Sequence, residues 1–326
     1  MSVSADYLLQ CSAETGFPAA TLERVVRLGE LAGDVARHPV LGEALSLKGG
    51  TPLNLGFGPP QRLSVDLDYN YVAHVEREQM LADRPHIEDV IVRLAERQGY
   101  RVQRSADAFA GRKLHLHFRS ALGPAGLVQV DVNYLHRLPL DEPVVLTLWQ
   151  PGELDPPSVR VVDGRELLVG KLLALLDRGS PRDAWDVAVL PAPMCELLGQ
   201  PRLRQLFLAM AATLDQPLPR YQGERLEAIL SDLAVHEQLA PMLTAGQRPD
   251  AHDLAARAWR AVAPLVHLSP EEAAYFAAID EGKLRLELLF PDEPAEAARL
   301  SAHPALQWKL ANLGKRPKRR GGSPEA

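Results

Sequence analysis

Ser64, Asp66 and Asp68 alternate along Arg62–Asp68 (RLSVDLD), and Asp131 alternates with valines along Val128–Asn133 (VQVDVN). With a strand period of two, Ser64, Asp66 and Asp68 share one face while Leu63, Val65 and Leu67 turn to a core. Two carboxylates held 4 Å apart repel by ~4 kcal/mol at an effective dielectric near 20. Such a pair calls for a cation, and Mg2+ suits it, being a hard ion that takes one or two carboxylates plus substrate phosphates. Asp131 stands on the polar face of its own strand. If the two strands adjoin, it becomes a third carboxylate that binds a second metal or accepts the proton of an attacking hydroxyl. Taken singly, each of these acids is equally well a solvated strand face.

Two further segments carry candidate chemistry. In Leu47–Leu53 (LKGGTPL) a strand end runs into Gly49 and Gly50, with Thr51 expected as the N-cap and Pro52 as the first residue of a short helix. Glycines allow a ligand close to the backbone, and such a turn can hold a phosphate. An isolated glycine pair is more often a plain strand-to-helix turn. Farther on, Asp163–Glu166 has the D-x-x-E pattern of a capping box, so a helix starts near 164. Lys171, Ala174 and Arg178 then fall on one helix face, with leucines on the other. The small residue between two cations leaves room for a triphosphate, with Lys171 as a point charge on it; a solvated basic face fits the same spacing. Ser180 and Pro181 open the next helix, on which Asp183 and Asp186 share a face and Trp185 is expected to bury. Asp183 can equally pair with Arg178 or Arg182.

The elements that must position these groups are legible in outline. Residues 20–37 form an amphipathic helix, and 84–100 form another ending near Gly99. Segments 44–48, 62–70, 114–118 and 128–133 alternate as half-buried strands. After the proline-rich break at 151–157 the strands are expected to stop, and helical patterns take over, with Ser269–Glu272 as a proline-primed capping box. The expected organisation is an α/β (α+β) unit with a small mixed sheet over 1–155 and a helical unit over 156–314. A basic tail, 315–326, is expected to be disordered. His115 and His117 lack a third ligand at metal spacing and read as surface residues; Trp149, Trp185, Trp259 and Trp308 read as core or interface.

The 326 residues are 46% hydrophobic and 24% charged, with net charge −6, which excludes a disordered chain and a wholly basic nucleic-acid coat. Two cysteines, Cys11 and Cys195, make no disulfide scaffold. There is no signal-peptide pattern at the N-terminus and no run of apolar residues long enough to span a membrane. A reduced, cytoplasmic protein is expected.

The three segments in combination resemble the polymerase-β-like nucleotidyltransferases. More closely, LKGGTPL followed by RLSVDLD resembles the KGGTxL…RxSxDxD signature of the AbiEii/AbiGii toxin family (the MenT-type toxins). The likeness continues at Glu166–Lys171 (ELLVGK), Arg178–Asp186 (RGSPRDAWD) and His303–Asn312 (HPALQWKLAN), spanning about 47 to 313, most of the chain; Pro52 departs from the small residue usual in the family. The resemblance implies a polymerase-β-like nucleotidyltransferase domain whose cleft is closed by the helical C-terminal unit. It implies a toxin that transfers nucleoside monophosphate from an NTP to RNA, with the 3′ end of tRNA as acceptor, and a cognate antitoxin as partner. Catalytic roles fall to Asp66, Asp68, Asp131, Lys171 and Asp183, with Mg2+ on Asp66, Asp68 and Asp131. Nucleotide binding falls to Gly49, Gly50, Thr51, Arg62, Ser64, Lys171, Arg178 and Asp186. Alternatives are transfer to a small molecule, as in aminoglycoside-modifying relatives, and a non-catalytic nucleotide-binding module. A phosphate on Ser64 would add about −1.5 to −2 charges beside Asp66, an expected off-switch.

Overall fold

The computed structural model describes residues 3–108, 110–123 and 125–313; the expected basic tail lies outside the described residues. Seven strands form one mixed sheet: β1 (Leu45–Lys48), β2 (Asp66–Tyr71), β3 (Arg101–Arg104), β4 (Gly111–Arg119), β5 (Ala125–Asn133), β6 (Val144–Thr147) and β7 (Ser158–Val161). Their spatial order is β3-β4-β5-β2-β1-β7-β6. The β2/β5 and β1/β7 pairs are parallel and the remaining pairs antiparallel.

Alternation decides which face is covered. Leu67, Leu114, Leu116, Val128, Val130 and Val132 are buried together with Val25, Leu28, Leu31, Ile87, Ile91 and Leu94 of the helices Ala19–Arg37 and Arg77–Arg97. Each such side chain contributes roughly 1.5–3 kcal/mol by leaving water. The other face carries Lys48, Asp66, Asp68, Lys113 and Asp131. A second core assembles from the helices beyond residue 163, around Leu168, Leu172, Trp185, Phe207, Tyr275 and Phe290. Leu53 and Leu140 from the sheet half pack into that second core, and the Leu63 amide donates to the Met242 carbonyl at 2.7 Å. The two cores are thereby stitched together around the polar face. Among the described residues no helix is long and apolar enough to cross a membrane.

Three expectations about elements are corrected. Strands do not stop at the proline-rich break, because Ser158–Val161 returns to lie parallel to β1 and carries the sheet past residue 155. The 62–70 strand begins only at Asp66; Arg62–Val65 is buried but irregular, held by ties to the helical half. The helix expected from 84 starts at Arg77 and takes Pro85 inside it, anchored before the proline by buried Met80. Its end at a left-handed Gly99 (φ 84°) is as expected.

Candidate active site

Parallel pairing of β2 with β5 sets Asp68 directly beside Asp131, and Asp66 one strand repeat away opposite Gln129. All three acids line one cavity of about 310 Å³ together with Ser64, Lys171 and Arg182. Burial pushes the Asp66 carboxyl above the ordinary range; Arg182 at 3.4 Å opposes the rise and the Asp68 charge adds to it. Burial likewise raises Asp131, with Lys113 at 3.6 Å opposing and Asp68 adding. The two half-buried carboxylates thus share the cavity with a like charge, and each has one loosely held cation within ion-pair reach. Among the described residues no three acidic or imidazole groups close into a ready-made cage. The donors are all carboxylate oxygens in an open arrangement, which fits a hard divalent cation that keeps water and substrate phosphate among its ligands.

The glycine turn is fitted tightly against these acids. Gly49 adopts φ 81°, and a Cβ there would meet an Asp68 carboxylate oxygen at 2.6 Å. A Cβ on Gly50 would meet the Arg62 guanidinium at 2.9 Å and the Ser64 hydroxyl at 3.0 Å. The short helix runs Gly50–Leu55 with Gly49 as its N-cap and no side-chain cap. Thr51 is therefore not the expected cap, and Pro52 is third in the helix rather than first. A proline is tolerated there because the first four helical N–H groups have no intrahelical partner. The Thr51 hydroxyl points inward instead, donating to the Asp66 carbonyl at 2.5 Å and lying 3.0 Å from the Ser64 hydroxyl. It pins the turn to the start of β2. Ser64, only 6% exposed, sits on the cavity floor.

Behind the acids lies a closed ionic network. Arg62 forks onto Asp186 with two bonds of 2.7 Å and gives a third to the Leu63 carbonyl. The Lys171 ammonium lies 2.6 Å from Asp186 and 3.8 Å from Asp183, and the Asn54 amide donates to Asp186 at 2.9 Å. Burial alone would raise Asp186, but Arg62 and Lys171 outweigh it and hold this carboxyl well below the usual range. Arg62 thus commits its donors to the wall, while Lys171 stays at the cavity edge with its charge anchored. Asp183 takes Arg178 at 2.9 Å and the Ser180 hydroxyl at 2.7 Å, in a helix capped by Ser180 as expected. Of the two arginines weighed for it, Arg178 is its partner; Arg182 turns to Asp66.

A larger cavity of about 510 Å³ continues from Lys171 along Gly170 and Ala174 of the helix Gly164–Asp177 and its C-cap Arg178 to Lys48, Asn70, His136 and Glu166. The expected capping box is corrected here. Asp163 does cap, accepting from the Arg165 amide, but Glu166 turns inward to accept from Asn70 at 3.1 Å and the Leu140 amide at 2.8 Å. Burial raises Glu166 to about 7. His136 meets His303 edge-to-face at 5.5 Å, and His303 caps the helix Pro304–Ala311. Burial lowers both imidazoles, His303 to about 4. Lys48, Lys113, Arg182, Asn70, His136 and Glu166 are site residues that sequence reasoning did not single out. Lys48, Asn70 and Lys113 had a signal, falling at period two on the same alternating face as the aspartates.

The family model described as "Nucleotidyl transferase AbiEii toxin, Type IV TA system" matches residues 33–263. The resembling stretch at 303–312 lies beyond that span. Among solved structures, MenT4, the nucleotidyltransferase toxin Rv2826c from Mycobacterium tuberculosis H37Rv, superposes with a TM-score of 0.59 at 18% identity, covering 90% of this chain and 98% of its own. JHP933 from Helicobacter pylori gives a TM-score of 0.47 at 15% identity over 81% of this chain and 99% of its own. No curated protein sequence matches significantly. The MenT4 likeness shows a shared fold, and the family match, covering well over half of the sequence, shows membership: the chain belongs to the AbiEii nucleotidyltransferase toxin family.

Proposed function

We propose that this protein transfers a nucleoside monophosphate from an NTP to the 3′-hydroxyl of an RNA, with the 3′ end of tRNA as the acceptor, and so blocks translation. The observation that carries the reading is the pairing of Asp68 with Asp131 across β2 and β5, with Asp66 in the same cavity and Lys171 at its edge. In the reaction the acceptor oxygen bonds to the α-phosphorus, the bond to the β-phosphate breaks, and pyrophosphate leaves. Asp131 takes the proton of the acceptor hydroxyl, a role that suits a carboxyl raised by burial. Asp66 and Asp68, with Asp131, would hold Mg2+, which when bound neutralises the triphosphate and the charge that develops on it. Lys171 supplies fixed positive charge on the phosphate side, and Gly49 and Gly50, which line the two cavities, let Asp68, Arg62 and Ser64 pack close against the turn. Asp186 and Arg62 act from behind by fixing where Lys171 points, and Arg178 and Asp183 shape the same wall. Positioning and charge neutralisation supply most of the rate in such chemistry. A cognate antitoxin, which the family description suggests, and a cytoplasmic setting complete the proposal.

The test is incubation of the purified protein with each labelled NTP, Mg2+ and total tRNA. Transfer of label is expected, and its persistence in Asp66→Asn or Asp68→Asn would overturn the assignment. Growth arrest on expression separates an RNA-directed enzyme from one that modifies a small molecule.

A further inference from the structure

The outer hairpin of the sheet treats the cations on its two faces differently. On the face covered by helices they are paired: Arg104 with Asp89 at 2.6 Å, Arg112 with Glu88 at 2.9 Å and with Asp107 at 3.1 Å. On the cleft-facing side the register sets Arg101 opposite His117, Lys113 opposite Asp131 and Arg119 opposite Ala125. Arg101 and Arg119 are exposed, and among the described residues neither makes an ion pair. The carboxylate beside Lys113 is that of Asp131 itself. No acidic residue of β3 or β4 lies on this side, in a chain whose net charge is −6. Between the cations stand the half-buried rings of His115 and His117.

We propose that the cleft-facing side of the β3–β4 hairpin is the track along which the single-stranded 3′ end of the RNA acceptor reaches Asp131. Unpaired guanidinium groups attract phosphates, and imidazoles interleaved with them on an open sheet offer faces on which bases stack. The track is continuous with the chemistry. Asp131 is the outermost of the three acids, and Lys113 follows it one strand farther out. Strand spacings of ~4.8 Å and ~3.3 Å per residue place Arg101 roughly 16 Å from Asp131, room for the last few nucleotides. The NTP phosphates lie on the opposite side of the acids, toward Gly50 and Lys171, so donor and acceptor enter from different directions and meet at the aspartates. This rests on the nucleotidyltransferase reading above and adds the route of its second substrate.

The test compares the wild type with Arg101→Ala/Arg119→Ala. A control pair, Arg93→Ala/Arg97→Ala, removes the same charge from exposed positions of the helix on the covered face. The RNA probe is a fluorescein-labelled single-stranded dodecamer ending in CCA with a free 3′-hydroxyl, followed by anisotropy across a salt series. Mg2+–NTP binding is followed in parallel by calorimetry. The hairpin pair is expected to lose about tenfold in RNA affinity and about 1.4 in the log–log salt slope, two phosphates at roughly 0.7 each. NTP binding is expected to hold, and the control pair to behave as wild type. Unchanged RNA affinity in the hairpin pair overturns the track, as does an equal loss in the control pair. Loss of binding to an acidic protein partner with RNA affinity intact overturns it in favour of a protein-docking face. A wild type that binds NTP but neither binds nor extends RNA overturns the RNA acceptor itself, and the track with it.

Discussion

Two sets of carboxylates stand side by side in this cleft and are handled in opposite ways. Asp186 is fully buried, receives Arg62 through two short bonds and Lys171 through a third, and has its proton affinity driven down. Asp66 and Asp131 are partly open, face single cations at 3.4 and 3.6 Å, and have their proton affinities driven up. A charge that is surrounded has nothing left to offer a ligand, and its work is architectural. A charge that burial leaves undercompensated is ready for a cation, a proton or both. In the proposed reaction the same residue type therefore serves as frame at one position and as reagent at another, and the distinction lies in the partners.

That contrast can be broken most forcefully at the frame. Asp186→Asn leaves buried Arg62 without its counter-charge and Lys171 with Asp183 alone, at 3.8 Å. It is expected to cost about 3–5 kcal/mol of unfolding free energy in urea denaturation and to abolish transfer; a loss below about 1 kcal/mol would show that the network is not what holds the wall. At the reagent set the expectation reverses. Asp68→Asn should lower transfer at least 100-fold while leaving stability within about 0.5 kcal/mol, and a large stability loss there would erase the difference between the two sets. Ser64→Glu, which brings a negative group to the cavity floor, should lower transfer about tenfold or more while Ser64→Ala keeps it; equal activity in the two variants would remove the serine as an off-switch.

The smallest expected effect concerns Glu166, an acid treated like the reagents but placed away from them. Its folded value of about 7 lies above the ordinary 4.5, so its contribution to stability is full below about 4.5 and is lost as pH rises through about 7. Wild-type Tm should therefore fall between pH 5 and 8 relative to Glu166→Gln. Parallel melting curves for the two proteins would show that burial does not hold this proton.

How far the sequence could be read follows the same division between local and distant causes. The reagent aspartates were legible because alternation is local, and two alternating strands need only adjoin for Asp68 and Asp131 to meet. The face carrying Lys171, Ala174 and Arg178 was legible for the equivalent reason in a helix. The frame was not. Arg62 and Asp186 are 124 residues apart, and nothing near either announces the other. Glu166 satisfied a local capping pattern and was then claimed by Asn70 and Leu140, whose positions only the assembled sheet defines. β7 is four residues long and follows a proline-rich break, so its pairing with β1 leaves little periodicity to detect. Thr51 looked like a cap because it precedes a proline; the helix instead starts two residues earlier, at Gly50, with Gly49 fitted against Asp68 as its cap.

The contact between His136 and His303 has a consequence for how the molecule comes into being. One wall of the larger cavity is made early in synthesis and is propped by a ring encoded 167 residues later, at the threshold of the helix Pro304–Ala311. A nascent chain emerging from the ribosome can complete its sheet and even its aspartate cluster while this prop is still unmade. That ordering leaves the His136 wall without its packing partner until nearly the whole described polypeptide has been made.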